Sequence, residues 1–191
     1  MIGYALCGSF CTLSRSVAML RELRDAGEDI LPIMSEITYT TNTRFGTAAD
    51  FIWQVEDICG RRVIHTIPDA EPLGPTNPLE ALIIAPCTGN TLAKLAGGIT
   101  DTPVAMAAKA HLRCDRPLLI TLASNDAMSA NLANIATLLS RKSVYFTPLV
   151  QDDPDAKPHS LVASFDYLPA ALAAAREGKQ LRPLFLHKNL P

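Results

Sequence analysis

The 191-residue chain has no apolar run approaching the roughly 20 residues that span a bilayer. The first apolar stretch, residues 2–6, is too short for a signal peptide and has no basic flank. A soluble, cytoplasmic protein with no membrane partner is the expectation. Neither sign of charge is in excess: 17 Lys and Arg against 19 Asp and Glu leave a net charge of −2. That balance argues against nucleic acid as a partner. The cysteines, Cys7, Cys11, Cys59, Cys87 and Cys114, are odd in number and contain no C-x-x-C pair. Reduced thiols fit this better than a disulfide framework. Histidine is scarce, and none stands at ligand spacing from Cys7, Cys11 or Cys87, so no metal site is expected. Both G-x-G-x-x-G and a Walker loop are missing, which removes the dinucleotide fingerprint. Aromatics are few, and the single Trp, Trp53, lies on a helical pattern that suggests the core.

What is present is apolar and regularly spaced. Hydrophobic residues make up 48% of the chain, enough for one domain over residues 1–191 with a sizeable core. Short apolar runs at 2–6, 30–34, 62–66, 82–84, 118–122 and 144–146 read as strands, with Pro86 ending the fourth. Helical spacing fills the gaps. One helix is capped by Ser14 and ends at Gly27; others cover 46–58, 92–96, 101–112, 131–139 and 165–176. The small apolar face of 101–112 suits packing against a helix or another subunit. Prolines 68, 72, 75 and 78 mark one loop. The polar segment 148–158 reads equally as a lid, a subunit contact or a solvated loop. Leu184, Phe185 and Leu186 are apolar beyond any helix and are expected to dock.

Alternating strands and helices signify an α/β fold: an open, mostly parallel sheet with helices on both faces, in three Rossmann-like layers. Ligands on such sheets sit outside the carboxyl ends of the strands, near the switch in strand order. Four small polar turns meet that condition: Gly8-Ser9, Ser35, Cys87-Thr88-Gly89-Asn90-Thr91 and Ser124-Asn125. The third runs from a strand into a helix, the geometry of an anion site, although Thr88 or Asn90 could simply cap that helix. Together the turns suggest a neutral, hydrogen-bonding pocket with one phosphate subsite. Flavin mononucleotide (FMN) asks for this chemistry. The candidate cofactor-binding residues are Gly8, Ser9, Ser35, Cys87, Thr88, Gly89, Asn90 and Thr91.

The run Pro86-Cys87-Thr88-Gly89-Asn90-Thr91-x-Ala93-Lys94-x-x-x-Gly98-Ile99-x-Asp101 resembles the P-A-S-A-N-T…A-K…G-I-x-D motif of the homo-oligomeric flavin-containing cysteine decarboxylases. Flavin prenyltransferases are relatives of that family. The resemblance implies FMN, a trimer or dodecamer, and Asn125 and Met128 as the candidate catalytic residues on the ring or substrate side, within the segment Asn125-x-x-Met128-x-x-Asn131. The family's catalytic His has no counterpart in Glu71-Pro72-Leu73-Gly74-Pro75, and His65 lies too early to align. The threonine-rich turn is also similar to a flavodoxin phosphate loop, though flavodoxins place it after the first strand.

Further segments are similar to the B-subunit family of dipicolinate synthases. They are residues 1–12, Pro32-Ile33-Met34-Ser35-Glu36, Arg44-Phe45-Gly46, residues 107–113 and Gln151-Asp152-Asp153-Pro154. That resemblance implies an oxidoreductase subunit in the mother cell of a sporulating bacterium. Its partner A subunit would carry NADP, and the product would be an aromatic dicarboxylate made from a dihydrodipicolinate-type intermediate of the lysine pathway. Arg44, Lys109, His111 and Arg113 are then the candidate substrate-binding cations; a surface charge is the alternative for each. A flavin-dependent decarboxylase or prenyltransferase, and a non-catalytic partner of the A subunit, are the rival functions.

Overall fold

The protein is described from a computed structural model that covers residues 1–76 and 79–187. Pro78 of the proline-bearing segment lies outside the described residues. In chain order the elements are β1 (Ile2–Leu6), α1 (Phe10–Asp25), β2 (Ile30–Met34), α2 (Glu36–Thr40), α3 (Ala48–Cys59) and α4 (Ile67–Ala70). Then follow β3 (Leu82–Cys87), α5 (Gly89–Gly97), α6 (Pro103–Leu112), β4 (Leu118–Ser124), α7 (Leu132–Leu139) and β5 (Val144–Phe146). The chain closes with β6 (Leu149–Val150), β7 (Leu161–Ala163), a 3-10 turn (Phe165–Tyr167) and α8 (Leu168–Arg176).

Five strands run parallel in the order β2-β1-β3-β4-β5. The last two residues of β4 pair instead with β7, antiparallel, and β6 pairs with β7. Strand alternation sorts side chains to two buried faces, which is why the strands are apolar throughout rather than at every second residue. Ile2, Tyr4, Leu6, Ile83 and Ala85 pack with Leu13, Val17 and Leu20 of α1, Phe51 and Val55 of α3, and Leu168 and Leu172 of α8. Ala5, Leu82, Ile84, Leu118 and Ile120 meet Leu92 of α5, Val104 and Ala108 of α6, and Leu138 of α7 on the other face. The small face of α6 is thus spent within the chain.

One buried polar link holds the front of α1 to the sheet. The Tyr4 hydroxyl donates to Ser16 O at 3.0 Å, and Ser16 Oγ donates to Ala85 O at 2.5 Å. Breaking such a link leaves a buried group unpaired, at about 1–3 kcal/mol. The link joins β1, α1 and β3, the elements that carry the Gly8-Ser9 and Thr88 turns.

Several expectations change. Residues 62–66 form no strand: only Ile64 bridges Ile33, with Ile64 N donating to Pro32 O at 2.9 Å and Met34 N to Ile64 O at 2.9 Å. Pro32 has no N–H with which to extend that ladder. Pro86 does not end β3 but lies inside it, where the pairing register with β4 shifts between Ile84 and Cys87. Helix α1 starts at Phe10, so Ser14 is within it rather than capping it. Trp53 is 67% exposed, not core. Helix α3 buries Phe51, Val55 and Ile58, spaced four and three apart, and Trp53 falls off that stripe. The tail does dock: Leu149 N donates to Leu184 O, and Leu186 N donates to Leu149 O. Phe185 itself stays exposed.

Candidate functional site

Strand order reverses between β1 and β3: the chain leaves β1 for β2 on one side and returns to β3 on the other. A crevice at the carboxyl ends of β1 and β3 follows from that reversal. Two adjoining clefts occupy it. One, of about 450 Å³, is lined by Gly8, Ser35, Glu36, Ile37, Thr40, Thr88, Asn90, Thr91, Lys94 and Thr102. The other, of about 820 Å³, runs from Ser9, Phe10 and Thr12 past Arg44, Gly89, Ala123, Asn125 and Asp126 to Asp152, Lys157 and Ser160. Gly8, Thr88 and Asn90 border both. The four polar turns therefore meet at one crevice.

The hydroxyls divide into bound and free. Thr88 Oγ1 accepts from Thr91 N at 3.3 Å and caps α5. Thr91 Oγ1 donates to Cys7 Sγ at 3.3 Å beneath the turn. Ser35 caps α2 through Thr38, whose hydroxyl lies at 2.8 Å. Capping therefore accounts for the Ser35 and Thr88 side chains, and the Cys7 sulfur for that of Thr91. Ser9 Oγ and the exposed Asn90 amide have no intramolecular partner among the described residues. Helix geometry also leaves the first N–H groups of α5, at Gly89 and Asn90, without intrahelical acceptors. A free hydroxyl, a free amide and open N–H groups around one helix start form a donor set suited to a phosphate and polyol chain.

Cys87 is not part of that set. The register shift in β3 puts it on the core face with Leu82 and Ile84, fully buried. Burial pushes its thiol well above the usual range, and pushes that of Cys7 up to about 11. Neither is a nucleophile near neutral pH.

Asp126 is the feature that sequence reading missed. Its carboxylate accepts from Ser124 Oγ and, at 2.9 Å, from Asn131 Nδ2. The bond from Ser124, more than any other cause, holds it below the usual carboxylate range. The cluster presses against Gly89. A Cβ there would stand 2.6 Å from Ser124 Oγ, 2.7 Å from Asn131 Nδ2 and 2.8 Å from Asp126 Oδ1. A fixed anion beside the start of α5 is favourable for the helix dipole. Asn125 lines the larger cleft and is exposed; Met128 is 41% exposed and does not line it, but its N–H donates to His159 O at 2.9 Å. That bond ties the turn after β4 to the loop between β6 and β7.

The candidate cations separate. Arg44 lines the larger cleft. Lys109 and Arg113 line a different one, of about 390 Å³, with Ile99 and Arg141. His111 is buried, with Nε2 2.9 Å from Pro117 O. The structure thus does not bring Lys109, His111 or Arg113 to the crevice: the stripe 104, 105, 108, 111 faces inward and turns 109 and 113 away. Lys157, from the polar segment 148–158, is there instead. His65 stacks on Tyr39 at 3.7 Å, and no histidine is among the residues lining the two clefts. No group of three or more potential metal ligands occurs among the described residues.

Burial holds His111 below its usual value of 6.5, with Arg116 acting the same way and the bond to Pro117 opposing. The unfolded chain therefore takes up a proton that the fold excludes as pH drops through about 6.5. Stability is full above that pH and declines below it, levelling off at the folded-state pKa. Urea midpoints measured at about pH 7 and about pH 5 are expected to fall in the native chain and to fall less in His111→Gln.

Residues 1–170 match the family model described as Flavoprotein. The chain belongs to the Flavoprotein family. The B subunit of dipicolinate synthase from Bacillus subtilis (strain 168) is 42% identical over 97% of this flavoprotein and 92% of the relative. The crystal structure of the corresponding B subunit from Bacillus halodurans superposes with a TM-score of 0.90 at 37% identity, covering 98% of this chain and 96% of that one. A dodecameric FMN-dependent decarboxylase from Escherichia coli O157:H7 shares the fold, at TM-score 0.61 and 23% identity over 78% of this chain and 80% of that one. No helix among the described residues is long and apolar enough to cross a membrane.

Proposed function

We propose that this flavoprotein binds FMN across the paired clefts and serves as the B-type subunit of a dipicolinate synthase. The observation that carries the reading is the donor set at the switch point, in a chain so similar to two B subunits. Ser9 Oγ, the Asn90 amide and the N–H groups of Gly89 and Asn90 hold the phosphate and polyol. Gly8 keeps the wall between the clefts thin, Ser35 and Thr88 fix the shape of the turns by capping, and Thr91 does so through its bond to Cys7 Sγ. Asn125 faces the ring or substrate side from the larger cleft, and Met128 supports it through the turn after β4. Bound flavin supplies a hydride acceptor for an oxidation that forms an aromatic ring. The chain's own part is to orient the ring and to exclude water from it.

A partner A subunit would supply the pyridine-nucleotide site, NADP, which fits the missing fingerprint here. The setting is sporulation in the mother cell, and the assembly is a homo-oligomer such as a trimer or dodecamer, measurable by light scattering. No histidine lines the clefts, so cysteine decarboxylation is not favoured.

An absorbance titration with FMN is the direct test. Saturable uptake with a shifted flavin band supports the reading; no uptake removes it. Thr88→Val keeps the size and loses the cap to Thr91 N. It is expected to weaken FMN by roughly threefold to tenfold while costing about 1 kcal/mol of stability, read by the same titration and by urea unfolding.

A further inference from the structure

The larger cleft holds two cationic side chains among its lining residues, Arg44 and Lys157, and they come from different loops. Arg44 lies between α2 and α3; Lys157 lies between β6 and β7. We propose that the two form a two-point receiver for a small planar dicarboxylate, and that Asp152 holds Lys157 ready until the ligand arrives. The ligand class rests on the function proposed above; the placement of the cations does not.

Arg44 makes no hydrogen bond or ion pair among the described residues. Its guanidinium sits over the Phe45 ring, 4.9 Å from the centroid. Stacking on an aromatic face orients the planar fork while leaving its edge open to donate to a carboxylate in bidentate fashion. Lys157 Nζ is 3.0 Å from Asp152 Oδ2, in a pair whose lysine is half exposed. Exposed pairs of this kind are weak, so an incoming carboxylate competes with Asp152 on even terms. The other acid of the cleft, Asp126, is committed to Ser124 and Asn131. Phe10, Ala123 and Val162 offer apolar surface beside the two cations. One cation would select a monocarboxylate as readily; two on separate loops select a second carboxylate.

Calorimetry on the purified full chain, with and without FMN, uses pyridine-2,6-dicarboxylate and pyridine-2-carboxylate as probes. The native chain is expected to prefer the dicarboxylate by about tenfold or more. Arg44→Gln and Lys157→Gln should each shrink that preference to less than about threefold, with thermal unfolding unchanged. Asp152→Asn should tighten the dicarboxylate severalfold by releasing Lys157, an effect that a structural role for the pair would not produce. Cys11 is exposed on the same cleft and serves as a position marker: the dicarboxylate should slow its reaction with a maleimide. No dicarboxylate binding, an unaltered preference in both Gln variants, or unprotected Cys11 overturns the proposal. FMN uptake is read separately. A chain that binds the dicarboxylate but not FMN loses the flavin reading and keeps the receiver; the reverse result does the opposite.

Discussion

Gly89→Ala is expected to lose about 1–3 kcal/mol of stability and to lose tight FMN binding. The cause is local and geometric. One methyl group at Gly89 would enter the space of Ser124 Oγ, Asn131 Nδ2 and Asp126 Oδ1, all within 2.8 Å. Ser124 Oγ and Asn131 Nδ2 both donate to Asp126 Oδ1, so none of the three can withdraw without leaving a polar partner unpaired. The remaining outlet is movement of α5 away from β4, which carries the Thr88 and Asn90 turn out of the crevice. For a chain of this size the melting temperature should fall by roughly 2–4 °C per kcal/mol. Thermal unfolding and a flavin titration on the same preparation check both halves. A variant as stable as the native chain would show that the cluster yields cheaply, and native FMN affinity would show that α5 does not set the site.

Asn90→Ala separates affinity from stability. The Asn90 side chain is exposed and bonds to nothing among the described residues, so its removal should leave urea unfolding within about 0.5 kcal/mol of the native value. The same freedom makes it available to a ligand. Loss of one well-aligned amide contact costs about 1–3 kcal/mol, which is roughly fivefold to 150-fold in FMN affinity. Flavin fluorescence against protein concentration measures it. Unchanged affinity in a stably folded variant would move the phosphate site elsewhere.

The sheet was legible because a strand buried on both faces advertises itself as an unbroken apolar run, as in Ile2–Leu6 and Leu82-Ile83-Ile84. The crevice was legible because the switch-point rule needs only strand order and polar turns. Other parts left no signal. Strands β6 and β7 are two and three residues long, too short for any periodicity to register. Asp126 carries no signal of its own in the sequence, since its partners Ser124 and Asn131 declare themselves only when the turn folds. Lys157 was hidden in the same way by the unseen hairpin. Lys109, His111 and Arg113 share a segment whose helical phase, not its composition, decides which side chains reach the crevice. Cys87 depends on a register shift beside Pro86.

The hairpin of β6 and β7 pairs with the parallel sheet at Ala123 and Ser124, the last two residues of β4. Its loop supplies Asp152, Lys157 and Ser160 to the larger cleft, whereas none of its residues lines the smaller one. Under the proposed function, part of ligand selection, through Lys157, is carried by a stretch of chain that does not shape the smaller cleft. Leu149, Leu161 and Ala163 are buried in the core beside Leu118 and Ile120, so an exchange confined to residues 151–159 is expected to alter ligand choice while the floor beneath it stays in place.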